Sequence, residues 1–173
     1  MSVFASAPQR ELLLLRHAKS DWKNQTLADF DRPLADKGKK AATRLADWID
    51  QHQLWPEAVW VSPAKRTRQT LKRLKLPPSI PVTAVNSLYQ ADLATLFQLL
   101  KQYPPECQRL LWIGHNPGFE SLLSQLTGEH HAFPTATLAH LRLPALSTQP
   151  LESQAQLLHY IRPKTLKHTA TKP

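Results

Sequence analysis

Two arginines and two histidines are set apart by where they fall. Arg16 and His17 directly follow the apolar run Leu12 to Leu15. Arg66 lies in Ser62-Pro63-Ala64-Lys65-Arg66, directly after Val59 to Val61, and His115 lies in Gly114-His115-Asn116-Pro117-Gly118, directly after Leu110 to Ile113. These residue types suit phosphoryl transfer. The transferring group spreads negative charge over three equatorial oxygens, and the rigid donor fork of arginine matches such oxygens. A neutral histidine has a free ring lone pair that can attack phosphorus. Each cluster alone has a plainer reading. His17 could be a satisfied core histidine, and Arg66 could belong to a solvated basic face with Lys65, Arg68, Lys72 and Arg73. His115 could sit in a strand-end turn using Asn-Pro-Gly chemistry. It is their recurrence after three apolar runs that points to one site.

The elements that must position them alternate. Glu11 to Leu15 reads as a strand buried on both faces, and Ala18 to Ala35 as a long loop containing Trp22 and Phe30. Asp36 to about Gln53 reads as a helix whose apolar face is Ala41, Ala42, Leu45, Trp48 and Ile49. Ala58 to Val61 is a short strand, after which Ser62 is expected to cap a helix with Pro63 at its first position. Val82 to Val85 is a strand, and Asp92 caps a helix with the stripe Leu93, Leu96, Phe97 and Leu100. Arg109 to Ile113 is a second apolar strand, and Asn116-Pro117 starts a helix with Phe119, Leu122, Leu123 and Leu126 on one face. Ala136 to Leu143 and Ala155 to Ile161 are later strands, one of them a candidate antiparallel edge. The pattern predicts an α/β three-layer sandwich with a mainly parallel central sheet and helices on both faces. Ligands bind outside the carboxyl ends of such strands, so the three clusters would open on one edge. The helix starts after Ser62 and Asn116 would aim free N–H groups at an anion there.

Composition sets the limits. A chain of 173 residues suits one domain, here residues 11–162, flanked by a loose N-terminal arm (1–10) and a basic C-terminal tail (163–173). No run of 18 apolar residues exists and no secretory h-region opens the chain, so neither a membrane span nor export is expected. The single cysteine, Cys107, cannot form an internal disulfide, and a reducing, cytoplasmic setting is the default. The four glycines leave no Gly-rich phosphate loop. The net charge is +9, and Arg162, Lys164, Lys167 and Lys172 carry four of these charges in the last twelve residues. A solvated tail accounts for that block. No aromatic-interleaved basic stripe argues for nucleic acid. The eight histidines form no HExxH or comparable ligand spacing, and Arg16 and Arg66 would repel a cation, so no metal or other cofactor is expected.

Leu12 to Lys19, reading LLLLRHAK, resembles the signature of the histidine phosphatase superfamily, usually Arg-His-Gly. Ser62-Pro63 with Arg66 and Thr70 resembles its second motif, and Gly114-His115-Asn116 its third. Asp31-Arg32-Pro33-Leu34, Gly38 and the terminal Arg162-Pro163-Lys164 resemble the SixA-type phosphohistidine phosphatases. The resemblance implies a phosphoglycerate-mutase-like fold, metal-independent hydrolysis of phosphate esters or phosphoramidates, and His17 as the phosphorylated nucleophile. Arg16, Arg66 and His115 would complete the catalytic pocket, with Arg32 and Asn116 contacting substrate. The implied substrate is a protein carrying phosphohistidine, such as a histidine-containing phosphotransfer domain in signal transduction, and a monomer is expected. Ala18 stands where the superfamily usually has glycine. Leu88-Tyr89-Gln90 lies where many members carry a glutamate proton donor, and Gln90 cannot donate a proton as an acid. Asp21, Asp31 and Glu120 are the carboxylates left to replace it. The competing readings are a phosphatase of small phosphate monoesters, a phosphate-binding regulatory module without turnover, and a metalloenzyme.

Overall fold

The first strand, β1 (Glu11–Arg16), lies inside a six-stranded sheet of order β3-β2-β4-β1-β5-β6. The computed structural model describes residues 9–144 and 153–166. Leu12 to Leu15 have no solvent exposure, which is why this run carries no polar alternation. β2 (Ala58–Val61), β3 (Val82–Ala84) and β4 (Arg109–Gly114) run parallel to β1, while β5 (Leu138–Arg142) is antiparallel to it and to the edge strand β6 (Gln156–Ile161). The antiparallel member is therefore β5, beside the central strand.

Alternation along β1 divides the core into two layers. Leu13 and Leu15 pack with Leu45, Trp48 and Ile49 of α1 (Asp36–Gln51) and Leu74 of α2 (Lys65–Leu74). Leu12 and Leu14 pack with Leu96, Leu99 and Leu100 of α3 (Leu93–Leu100) and Phe119, Leu122, Leu123 and Leu126 of α4 (Gly118–Thr127). Each fully buried leucine contributes about 1.5–3 kcal/mol, so burial on both faces fixes this strand in depth and register. α3 begins as read, with the Asp92 side chain accepting from Thr95 N at 2.8 Å. α2 does not. Its cap residue is Ala64 without a side-chain bond, and the Ser62 hydroxyl is shared between Ala64 N at 3.4 Å and the shorter contact with His115 at 2.8 Å.

Between β1 and α1 the long loop contains a short 3-10 turn, Asp29–Asp31, and an isolated bridge between Ser20 and Leu34. Helix α1 presses on the base of this loop. A Cβ at Gly38 would lie 2.2 Å from the backbone oxygen of Lys19, so only glycine allows the approach. After β6 the chain returns to α1: Pro163 is buried and its carbonyl accepts from Arg44 at 3.4 Å, while Leu166 packs on the α1 side of the core. Most of the N-terminal arm (1–8) and the rest of the basic tail (167–173) lie outside the described residues. Among the described residues no helix is long and apolar enough to cross a membrane.

Candidate active site

The parallel register makes three strand ends level. Arg16 lies opposite Gly114, and Val61 opposite Ile113. The next residue of each strand stays tied across the gap: His17 N donates to Gly114 O and Ser62 N to Ile113 O, both at 3.0 Å. His17, Ser62 and His115 thus meet at one edge, and the ring centroids of the two histidines are 5.2 Å apart. A cavity of about 410 Å³ opens there, with Arg16, His17, Arg66, His115 and Asn116 in its wall.

His17 is held in one tautomer. Its Nδ1 lies 2.8 Å from the carbonyl oxygen of Ala18, an acceptor only, so Nδ1 carries the proton and donates. Nε2 keeps its lone pair and has no hydrogen-bond partner among the described residues. The segment is pinned in turn by Ala18 N donating to Thr70 Oγ1 at 3.0 Å and by the Thr70 hydroxyl donating to Arg66 O at 2.7 Å. Burial, and then the charges of Arg66 and Arg16, push the His17 pKa down to about 4. The ring is neutral at physiological pH, as a nucleophile must be.

His115 is neutral for a related reason. Burial, with His17 and Arg66 adding to it, lowers its pKa to about 3. Arg66 Nη2 donates to its Nδ1 at 3.3 Å, which leaves Nε2–H to donate to the Ser62 hydroxyl at 2.8 Å. Arg66 reaches the site from the first turn of α2 and is only 6% exposed. Arg16 is anchored by one donor bond to Phe133 O at 2.8 Å, while its buried Nε has no partner. An unpaired buried donor costs about 1–3 kcal/mol, so it makes sense where an anion is to be bound.

Asp29, in the cavity wall, and Tyr89, bonded to it, were given no site role from the sequence. Asp29 Oδ2 accepts from Arg66 Nη2 and from the Tyr89 hydroxyl, both at 2.9 Å. Burial would raise the Asp29 pKa, but the Tyr89 and Arg66 bonds outweigh it and hold the carboxyl below its ordinary range. Asp29 is therefore an ionised acceptor, not a proton donor, at neutral pH. The Tyr89 ring also meets His115 edge-on at 5.4 Å and Phe30 at 5.2 Å. Asp29 and Arg66 are 37 residues apart, and no spacing rule links a loop aspartate to a helix arginine at that distance. Tyr89 was visible beside Gln90, but its partner was not.

The remaining candidates divide. Gln90 lines the cavity, as its place in the sequence suggested. Asn116 lines it too, yet its Nδ2 is spent on Glu120 Oε2 and Phe133 O at 2.9 and 3.0 Å. Glu120 Oε2 also accepts from Phe133 N at 2.9 Å, so its carboxylate braces the cavity wall. Asp21 caps a local turn by accepting from Lys23 N, and Asp31 is exposed outside the cavity wall. Arg32 does not reach the cavity wall. It is 7% exposed, with its guanidinium 3.9 Å from the centre of the Trp22 ring and Nη1 donating to Asn24 O at 3.1 Å. It shapes the loop, and the loop residues that line the cavity are Lys19, Ser20, Trp22 and Asp29. Among the described residues no group of three or more His, Cys, Asp or Glu is placed to hold a metal ion.

Known proteins arrange themselves around this geometry. The profile of the histidine phosphatase superfamily (branch 1) matches residues 12–130, more than half of the chain, and the chain belongs to that superfamily. The fold is the phosphoglycerate-mutase-like α/β fold of that superfamily, and the matches support a phosphatase. Among solved structures it is similar to a protein of Agrobacterium tumefaciens named for the phosphohistidine phosphatase SixA. That match has 28% identity, TM-score 0.77, and covers 88% of this chain and 97% of the other. The fold is shared with the protein histidine phosphatase SixA solved with tungstate, at 22% identity and TM-score 0.75, covering 91% and 99% of the two chains. An uncharacterised chloroplastic protein of Arabidopsis thaliana is 30% identical over 159 residues, 82% of this chain and 72% of the relative.

Proposed function

We propose that the chain is a phosphohistidine phosphatase acting on phosphoproteins, through a covalent phosphate on His17. The observation that carries this reading is the fixed tautomer of His17: Nδ1 is tied to Ala18 O, and the free Nε2 belongs to a neutral ring beside two arginines. In the first step Nε2 forms a bond to phosphorus as the bond to the leaving group breaks. Arg16 and Arg66 donate to the equatorial oxygens, and the unpartnered Arg16 Nε is one such donor. Arg66 exchanges its contact with Asp29 for the phosphoryl group. An incoming dianion opposes the burial that keeps His115 neutral, so His115 gains a proton and donates as well. Water then attacks the phosphohistidine, releasing inorganic phosphate and the neutral His17.

The choice of substrate follows from the absence of an acid at Gln90 and from the ionised state of Asp29. A monoester releases an alkoxide, and general acid help there is worth about 10²–10⁴-fold. A phosphohistidine whose other ring nitrogen is already protonated releases neutral imidazole when the P–N bond breaks, with no donor required. The relative named for SixA supports the same choice. The cationic wall supplies the charge stabilisation that a metal supplies in other phosphatases. A histidine-containing phosphotransfer domain in a reducing cytoplasm is the partner this chemistry suits, with the protein acting as a monomer. The test is one assay on phosphohistidine, phosphoserine and an aryl phosphate. High turnover of the first, intermediate turnover of the aryl ester and weak turnover of phosphoserine are expected. Efficient phosphoserine hydrolysis would make it a monoester phosphatase, and binding without turnover a regulatory module.

A further inference from the structure

A second concavity, of about 430 Å³, adjoins the catalytic one, and Lys19 and Thr135 stand in both walls. Its other charged lining residues are Lys37, Lys40 and Arg44 of α1 and Lys164 after β6, with no carboxylate. Lys40 and Arg44 continue into a third hollow along α1, whose wall also includes Arg73, Asp36 and Asp47. Lys19, Lys37, Lys40 and Lys164 are exposed and make no ion pair among the described residues. The nearby Asp36 is paired with Lys39 at 2.9 Å, and Lys40 acts on it only at longer range. Five cations around one hollow repel each other, and of them Arg44 alone has a described structural bond, to Pro163 O. Residues 167–173 add Lys167 and Lys172 and no acidic side chain.

The track extends well beyond one phosphate group and runs on along the outside of α1. Lys37 to Arg44 alone spans seven helical steps, about 10 Å at 1.5 Å per residue, before Lys19 and the phosphate pocket are added. Trp22, 61% exposed, stands in the wall of the catalytic cavity, an aromatic of the kind that anchors protein interfaces. We infer that the track of Lys19, Lys37, Lys40, Arg44 and Lys164 docks an acidic face of the phosphoprotein substrate, next to its phosphorylated residue. This rests on the phosphoprotein reading above and adds which proteins are chosen: those with Asp and Glu flanking the phosphohistidine. Charge complementarity of this type raises the encounter rate and fixes orientation.

Two synthetic phosphohistidine peptides test it, one flanked by glutamates and one by glutamine and serine. The wild-type protein should prefer the acidic peptide by about fivefold to tenfold in kcat/KM, with the preference shrinking as salt rises. The double substitution Lys37→Glu/Lys40→Glu should abolish the preference through KM while leaving turnover of free phosphoramidate unchanged. Both positions lie near the N-terminus of α1, where acids are tolerated, so the fold should be kept. Equal use of both peptides by the wild type, or a preference that survives the double substitution, would overturn the inference. So would a small bisphosphate that inhibits better than a monophosphate only in the wild type, since the hollow would then be a second phosphate subsite. If neither peptide is dephosphorylated, the phosphoprotein reading fails by itself. Docking is then read from the unphosphorylated acidic peptide: inhibition of aryl phosphate turnover in the wild type but not in the double variant supports the track, and no inhibition overturns it.

Discussion

Among the described residues two pairs of histidines stand with ring centroids 5.2 and 5.3 Å apart, and only one has the makings of a site. His17 and His115 meet at the carboxyl ends of β1 and β4, flanked by Arg16 and Arg66. His140 and His159 meet on β5 and β6, with stacked rings 5.3 Å apart and Nδ1 atoms 3.0 Å apart. His140 is more deeply buried than His17, at 2% against 7%. Burial lowers the pKa of both, but at His140 the adjacent Glu11 works against the shift. Glu11 lies 3.0 Å from His140 Nε2 and is itself paired with Arg109 at 2.6 Å. The β5–β6 pair thus has His140 Nδ1 shared with His159 and its buried Nε2 facing a carboxylate at salt-bridge distance rather than open space. The β1–β4 pair has an unshared Nε2 and surplus positive charge. Depth of burial does not separate a reactive histidine from a structural one. A free ring nitrogen and uncompensated cations do.

The largest expected effect tests that contrast directly. His17→Ala should lower kcat by at least about 10⁴-fold with the fold intact. His140→Gln should leave turnover within about twofold and lower the melting temperature by several degrees, as loss of a buried polar partner costs about 1–3 kcal/mol. Equal kinetic damage from both substitutions would erase the distinction. Next, Arg66→Ala should cost about 10²–10³-fold, the range for removing one donor to a transition-state oxygen.

The protonation states sharpen the comparison. His17 is depressed in the folded chain to about 4 against an ordinary value near 6.5. Between these values the unfolded chain binds the proton and the folded chain does not, so stability rises with pH across the window and is lost as pH falls. His17 alone accounts for on the order of 3 kcal/mol by pH 4. Denaturant melts of His17→Gln should show a flatter pH dependence from 6.5 to 4 than the wild type, and His140→Gln a smaller change. Asp29→Asn should then tighten inhibition by inorganic phosphate by about threefold to tenfold, because a carboxylate no longer competes for Arg66. Smallest of all, EDTA should leave turnover unchanged. Loss restored by a divalent ion would assign the charge stabilisation to a metal.

What the sequence disclosed follows the reach of its signals. The β1 run, the α4 stripe of Phe119, Leu122, Leu123 and Leu126 and the Asp92 cap are local patterns, and the structure repeats them. The convergence of His17, Arg66 and His115 needed one further step, the rule that parallel strands share an edge, and it held because β1, β2 and β4 are adjacent and parallel. The Ser62 cap was misread because a hydroxyl can serve a histidine 53 residues away as readily as its own helix. Arg32 was given to substrate on its motif alone, whereas the loop folds its guanidinium against Trp22. Asp29 was missed because its partners, Arg66 and Tyr89, come from two other elements.

The central claim is that His17 Nε2 takes the phosphoryl group. Enzyme mixed with an aryl phosphate, quenched in alkali within one turnover and digested, should yield one phosphorylated peptide. That peptide should span residue 17, with the phosphate on the histidine ring, labile to acid and stable to base. The same peptide should be unmodified in His17→Ala. Phosphate on His115, His140 or any hydroxyl, or full turnover with no phosphoenzyme at any quench time, would contradict the account.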